Sequence, residues 1–334
     1  MSLPPYFSTT YAGGTPLRAA VIGAGYLGRF HAMKYAMISG VDLVGIVDAS
    51  KERVEAVSQE LGIKGYTDYN DLLDRVDLVT VSTPTPSHYK ITESCLNAGV
   101  HVLVEKPITV TVEEADELVD LADRMNLVLQ VGHLKRFHPA IVALKNSGII
   151  KQPIFIESQR LAPFKSRALD VDVVLDLMIH DVDLILNFVD SELIDIDAIG
   201  GQVVTQYTDI ANTRLKFQNG CVANVTASRV ADNSTRRIQI FQDDAFVSLD
   251  FITHDIKIMQ RTHGEMELDG IKVPAIKQTH IPIEKYDTLE AEIRSFCESV
   301  RQGTPPLVSG RDGRKALAVV TKIRESIAKA IGAS

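Results

Sequence analysis

Cysteine is scarce in this 334-residue chain: Cys95, Cys221 and Cys297 are the whole complement. An odd count at wide spacing excludes a disulfide framework and a cysteine-ligated metal. Each lies in an apolar pattern and reads as a small core residue, which fits a reducing, cytoplasmic setting. Long apolar runs are also missing, and none approaches the ~20 residues of a membrane span. Residues 1–16 hold Pro4, Pro5, Gly13, Gly14 and Pro16 without an apolar core, so they read as a flexible tail rather than a signal peptide. Positive charge is outnumbered, with 35 Lys and Arg against 43 Asp and Glu, for a net charge of −8. A nucleic-acid partner needs the opposite balance. His101, His254, His263 and His280 show no ligand spacing, so no metal site is expected.

What is present points to a two-domain globular protein with a large core. Its most informative stretch is Leu17 to Gly28, an apolar strand running into Gly23-Ala24-Gly25-Tyr26-Leu27-Gly28. A second strand, Val41 to Val47, follows and ends at Asp48, 48 − 28 = 20 residues past the last glycine. A G-x-G-x-x-G turn between a strand and a helix, with an acid at that distance, is the dinucleotide-binding pattern. Gly23 permits the tight turn, Gly25 lets a pyrophosphate approach the backbone, and Gly28 allows close helix–strand packing. The helix N-terminus offers unpaired N–H groups to the phosphates. Asp48 would accept hydrogen bonds from the adenosine ribose and repel a 2′-phosphate, so NAD is favoured over NADP. Lys51 and Arg53 close behind weaken that preference.

Strand and helix patterns alternate to about residue 131, with Gly62 ending one helix and Thr111 and Glu114 forming a capping box for another. Short links in such an alternation mean a doubly wound parallel sheet. The pattern changes near residue 135. Residues 209–217 alternate Ala211, Thr213, Leu215 and Phe217 with Asn212, Arg214 and Lys216, the period of an antiparallel sheet with unlike faces. Two amphipathic helices, about 288–301 and 312–329, finish the chain. The expectation is an α/β protein: a Rossmann domain over 17–134, then an α+β substrate-binding and oligomerisation domain over 135–331 built on a largely antiparallel open sheet.

Two places carry candidate chemistry. Glu105-Lys106-Pro107 closes the fifth strand, and ligands of open α/β sheets sit beyond the carboxyl ends of strands. Lys106 there is either a charged donor to a substrate oxygen or an amine of lowered pKa. It also reads as a solvated lysine when taken alone. Asp176 and His180, four apart on a helix, share a face, and a carboxylate beside an imidazole orients a general base. The same pair also fits a polar helix start. His88, after the Pro84 turn, is a candidate cofactor contact, and His31 reads as packing or surface.

Gly23 to Gly28, Thr83-Pro84 with His88, Glu105-Lys106-Pro107, Val131-Gly132 with Arg136-Phe137, and Asp176 with His180 and Asp183 come in this order at suitable spacing. Together they resemble the glucose-fructose oxidoreductase, inositol dehydrogenase and MocA family from about residue 17 to the C-terminus. The resemblance implies bound NAD or NADP and hydride exchange at a sugar or polyol carbon. It carries the family's lysine, aspartate and histidine onto Lys106, Asp176 and His180. It makes Gly23, Gly25, Tyr26, Leu27, Gly28, Asp48, Thr83, Pro84, His88, Glu105 and Lys106 the cofactor contacts. Some members have tyrosine where this chain has His180.

Gly132 to Ala140 and Val174 to Asp181 are similar, more narrowly, to a subgroup that oxidises the 3-hydroxyl of UDP-N-acetylglucosamine. Arg160, Lys165 and Arg167 form a basic cluster in an acidic chain, suited to a diphosphate or to a solvated loop. With Lys106, Arg136 and His180 they are the candidate substrate contacts. The expected partners are a sugar or nucleotide-sugar and a second copy of the chain, as dimer or tetramer, with no membrane. A free-polyol dehydrogenase and a non-catalytic dinucleotide-binding regulator remain as alternatives, as does a lyase that uses NAD transiently.

Overall fold

The structure is a computed structural model and describes residues 13–165, 171–268 and 270–332. These form two units, one of residues 1–137 and 285–317, the other of residues 138–284 and 318–334.

The first unit carries a six-stranded parallel sheet. Its strands are β1 (Leu17–Ile22), β2 (Val41–Val47), β3 (Lys64–Tyr66), β4 (Leu78–Val81), β5 (His101–Glu105) and β6 (Leu129–Gly132), in the order 3-2-1-4-5-6. That is the order of the doubly wound dinucleotide fold. Between the strands run α1 (Tyr26–Met37), α2 (Lys51–Leu61), α3 (His88–Asn97) and α4 (Val112–Met125). The expected caps are present: Gly62 ends α2 at φ +66°, and Thr111 and Glu114 bond reciprocally at the start of α4. β3 escaped the sequence because three residues are too few to show a period.

Helix α7 (Thr288–Gln302) corrects the expected domain boundary. Its apolar face joins the first core, where Ile293, Phe296 and Cys297 are buried with Val21, Ala32 and Tyr35. Beyond it, the Val131 N–H donates to the Val308 carbonyl, and Ser309 bridges Gln130. Residues 285–317 therefore group with the Rossmann sheet and not with the second sheet.

The second unit is built on eight strands, β7 (Phe155–Leu161), β8 (Leu193–Gly201), β9 (Ile210–Phe217), β10 (Val222–Ser228), β11 (Thr235–Gln242), β12 (Ala245–Asp250), β13 (Asp255–Leu268) and β14 (Ile271–His280). Their order is 14-13-12-11-7-10-9-8, and all pairs are antiparallel except β7 with β10. The alternation over β9 holds: Ala211, Thr213, Leu215 and Phe217 are buried and their neighbours exposed. On the outer face Asn212 donates to Thr226 and Arg214 to Asn224, while Phe155, Phe241 and Phe246 form an aromatic row. Helix α5 (Pro139–Asn146), α6 (Ile179–Phe188) and the end of α8 (Gly310–Gly332) complete this unit. All three cysteines are free and buried, as expected.

Candidate functional site

The glycine turn of the first unit has the geometry its sequence demands. Gly23 sits at φ +108°, and a Cβ there would stand 2.3 Å from the Ser82 carbonyl oxygen. A Cβ on Gly28 would lie 1.7 Å from the Gly23 carbonyl oxygen, so helix and strand could not approach as they do. Gly25 is different: a Cβ would meet nothing within 4 Å. It is the N-cap of α1 and makes no side-chain cap bond. The space over Gly25 at the N-terminus of α1 is thus open, which fits a pyrophosphate. Tyr26 and Leu27 beside it are exposed.

Asp48 ends β2 and braces this turn. One oxygen accepts the Ala24 N–H at 2.8 Å and the other the Ser50 N–H at 2.9 Å. Each oxygen keeps a second lone pair for a ribose hydroxyl. Arg53 stands 3.8 Å from the same carboxylate, the cation that the sequence marked as weakening the NAD preference.

At the ends of β4 and β5 two of the candidate cofactor contacts, His88 and Glu105, are engaged within the protein. His88 is buried, with Nδ1 2.9 Å from the Pro107 carbonyl and Nε2 2.8 Å from the Thr83 carbonyl. Both nitrogens are engaged by backbone, so the ring braces the Thr83-Pro84 and Lys106-Pro107 turns. The Lys106–Pro107 bond is cis. Glu105 is turned inward: Oε1 lies 3.0 Å from His31 Nε2, and Oε2 accepts the Lys106 N–H. Burial alone would push this carboxyl up, but the hydrogen bond from His31 and the charge of Lys106 outweigh it and hold it below the usual range. Thr83 takes the Ser87 hydroxyl, and Lys106 is half-buried at the strand end.

In the second unit the helix carrying His180 begins irregularly. Val174–Met178 is a π-turn before the α-helical part, so Asp176 lies in wider winding than sequence spacing implies. Single π-turns of this kind concentrate at functional sites. Asp172 caps the turn: Oδ1 accepts the Val174 and Leu175 N–H groups, and Oδ2 accepts Arg324 at 2.7 Å. Ahead of it, Arg229 reaches the Val171 carbonyl, and Thr208 accepts the Val173 N–H. Asp176 and His180 are both half-buried.

Arg160 departs most from expectation. It lies on the inner face of β7 and not in a solvated loop. Its guanidinium grips Asp181 through two bonds of 2.7 and 2.8 Å, and both side chains are almost wholly buried. Burial would pull Arg160 down, but the charge and bonds of Asp181, with the charge of Asp176, raise it instead. Arg160 is therefore a strut that fixes the residue next to His180, its guanidinium taken up by Asp181 and not presented in a solvated loop. Arg136, also a candidate substrate contact, is buried with its guanidinium 3.8 Å from Asp312. Lys165 is exposed, and Arg167 lies outside the described residues.

Sequence reasoning missed Glu292, Asp181, Asp172 and Arg324, charged residues whose neighbours in the fold are distant in sequence. His31, read as packing or surface, is buried against Glu105.

Two family models match parts of the chain: the oxidoreductase family with an NAD-binding Rossmann fold over residues 17–133, and the Gfo/Idh/MocA C-terminal domain over residues 156–248. A UDP-N-acetylglucosamine 3-dehydrogenase from Acidithiobacillus ferrooxidans is 41% identical over 93% of this chain and 97% of its own. The solved structure of that protein superposes with a TM-score of 0.87, covering 93% of this chain and 97% of the other. A myo-inositol 2-dehydrogenase from Thermotoga maritima is 27% identical over 93% of this chain and 96% of its own. No helix among the described residues is long and apolar enough to cross a membrane. With a glycine turn shaped for a pyrophosphate, a Rossmann strand order and both family domains in register, this chain belongs to the Gfo/Idh/MocA family of NAD-binding oxidoreductases.

Proposed function

We propose that the protein oxidises the 3-hydroxyl of a UDP-linked N-acetylamino sugar with NAD. The observation that carries this reading is the 41% identity, sustained over 93% of the chain, to the UDP-N-acetylglucosamine 3-dehydrogenase. NAD supplies the hydride acceptor; the protein binds, orients and moves the proton. The open N-terminus of α1 receives the pyrophosphate and Asp48 the ribose. Lys106 donates to the reacting oxygen. His180 accepts the hydroxyl proton, with Asp176 favouring its protonated form. With Arg160 and Arg136 buried in pairs, the diphosphate falls to Lys165 and Arg167. The outer face of the second sheet exposes Ile199, Ile210 and Phe241, which supports a homo-oligomer, to be checked by light scattering.

A thermal-shift titration tests the substrate. With NAD present, UDP-N-acetylglucosamine is expected to raise the melting temperature and be turned over, and free N-acetylglucosamine or inositol to do neither. Equal stabilisation and turnover by free inositol would overturn the nucleotide-sugar reading.

A further inference from the structure

Behind Lys106 lies a buried group that the reaction does not use directly. His31 on α1, Glu105 at the end of β5 and Glu292 on α7 each bring one polar atom within 4.8 Å of the other two. Glu292 is fully buried, and neither of its carboxyl oxygens has a hydrogen-bond partner. Its backbone carbonyl is fixed by the Gln130 side chain. On the other side, β6 makes room for Glu105 with a glycine: a Cβ on Gly132 would stand 2.9 Å from Glu105 Oε2.

Two carboxylates in such a space cannot both stay ionised. Coulomb repulsion in a poorly solvated interior forces one to keep its proton. Glu105 has the better claim to the charge, because His31 and the Lys106 N–H both donate to it. Glu292 has no donor, and burial, then the charge of Glu105, pushes its carboxyl far above the usual range. Titratable groups nearby include Tyr35 on α1, whose hydroxyl is paired with Thr80 and which feels both Glu292 and Cys297, and Cys297 on α7 itself, a thiol pushed up by burial to about 12. Neither supplies a positive charge at neutral pH.

We propose that Glu292 is a positioning residue for Lys106: as a neutral acid it keeps its proton and, through a small side-chain rotation, donates a hydrogen bond to Glu105. Glu105 is thereby held, with His31, as one oriented carboxylate under the Lys106 backbone. Glu105 then accepts from three sides, and the turn that presents Lys106 has one conformation. Lys106 must be held this way if, as proposed above, it donates to the reacting oxygen. The inference therefore rests on that assignment for its catalytic consequence, though not for the protonation state of Glu292.

Three variants and one spectrum test it. Infrared difference spectroscopy of the wild-type protein at neutral pH is expected to show a protonated-carboxyl C=O band that Glu292→Gln removes. Absence of that band overturns the proposal without reference to activity. Glu292→Gln keeps a neutral donor, so kcat and the pH–rate profile should match the wild type. Glu292→Met has similar bulk and no donor, and should lose about tenfold in kcat, with the KM for NAD unchanged. A Glu292→Gln enzyme as slow as Glu292→Met, or one with a shifted pH–rate profile, would show that a carboxylate is needed and overturn the proposal. So would a stoichiometric divalent metal in the purified protein, removed together with activity by Glu292→Gln. Lys106→Ala in parallel separates the two readings. If it retains full turnover, the role of Lys106 fails while the infrared band still decides the state of Glu292.

Discussion

The two sheets bury their surfaces differently, and the difference governs where chemistry can sit. In the first, β1, β4 and β6 are covered on both faces and nearly every residue is buried. The strands are mostly apolar, and the candidate contacts collect at their carboxyl ends: the Gly23 turn after β1, Asp48 after β2, Thr83 after β4, Lys106 after β5. In the second sheet one face is packed and the other wet, so β7, β9 and β10 alternate. The candidate base there stands on a helix over the packed face, and the helix needs a strut. Strand ends place residues chiefly by the run of the backbone, with His88 and Glu105 bracing the turns. A helix over a sheet needs a side-chain pair, here Arg160 with Asp181.

The comparison breaks most visibly if either half is not catalytic. Lys106→Ala in the first unit and His180→Ala in the second should each lose roughly 10²- to 10⁴-fold in kcat, the range for acid–base and polarising groups. Both should melt within a few degrees of the wild type. Near-normal turnover in either, by steady-state assay, would remove that unit from the chemistry.

The strut predicts a stability effect instead. Arg160→Ala leaves the Asp181 charge buried without its partner and should cost about 3 kcal/mol in urea unfolding. Replacing both, Arg160→Met with Asp181→Leu, should recover most of that loss while kcat stays low, because the helix is then packed but no longer aimed. Full activity in the double variant would mean the pair serves folding alone.

A smaller effect belongs to Asp48. Asp48→Ala should narrow the ratio of NADP to NAD dissociation constants by about tenfold, the value of one charge-assisted hydrogen bond lost and one repulsion removed. Calorimetry measures both. A wild-type protein that binds NADP more tightly would reverse the expected preference.

The smallest effects are linkage effects, opposite in sign in the two units. Glu292 is raised in the folded state above its ordinary 4.5, so its folded form holds a proton that the unfolded chain has lost. Its contribution is most favourable below about pH 4.5 and declines as pH rises. Glu292→Gln should therefore gain in melting temperature relative to wild type from about pH 5 to pH 8 and not at about pH 4. Asp209, in the second unit, is lowered to about 2: burial would raise it, but the N–H groups of Thr205, Val204 and Val203 and the Thr205 hydroxyl overcome that. Its stabilisation is present above its ordinary 3.8 and is lost as pH falls through about 2. In acid titrations Asp209→Asn should differ from wild type at neutral pH and converge with it at about pH 2.

The sequence by itself determined what depends on neighbours along the chain. Gly23, Gly25, Gly28 and Asp48 were legible because turn, helix start and acid are fixed by local geometry and a short crossover. The alternation of β9 was legible because a strand's two faces repeat every second residue. Tertiary structure decided what depends on distant partners. Arg160 read as one of a basic cluster suited to a diphosphate or a solvated loop because its sequence neighbours include Lys165 and Arg167, yet 21 residues on Asp181 takes its charge. Helix α7 read as part of the second domain by position, yet its apolar face completes the first core. Nothing in the sequence singled out Glu292, and only packing against His31 and Glu105 makes it a buried acid. A charge has no fate in sequence; whether it is solvated, paired or neutralised is set by what the fold brings to within a few ångströms of it.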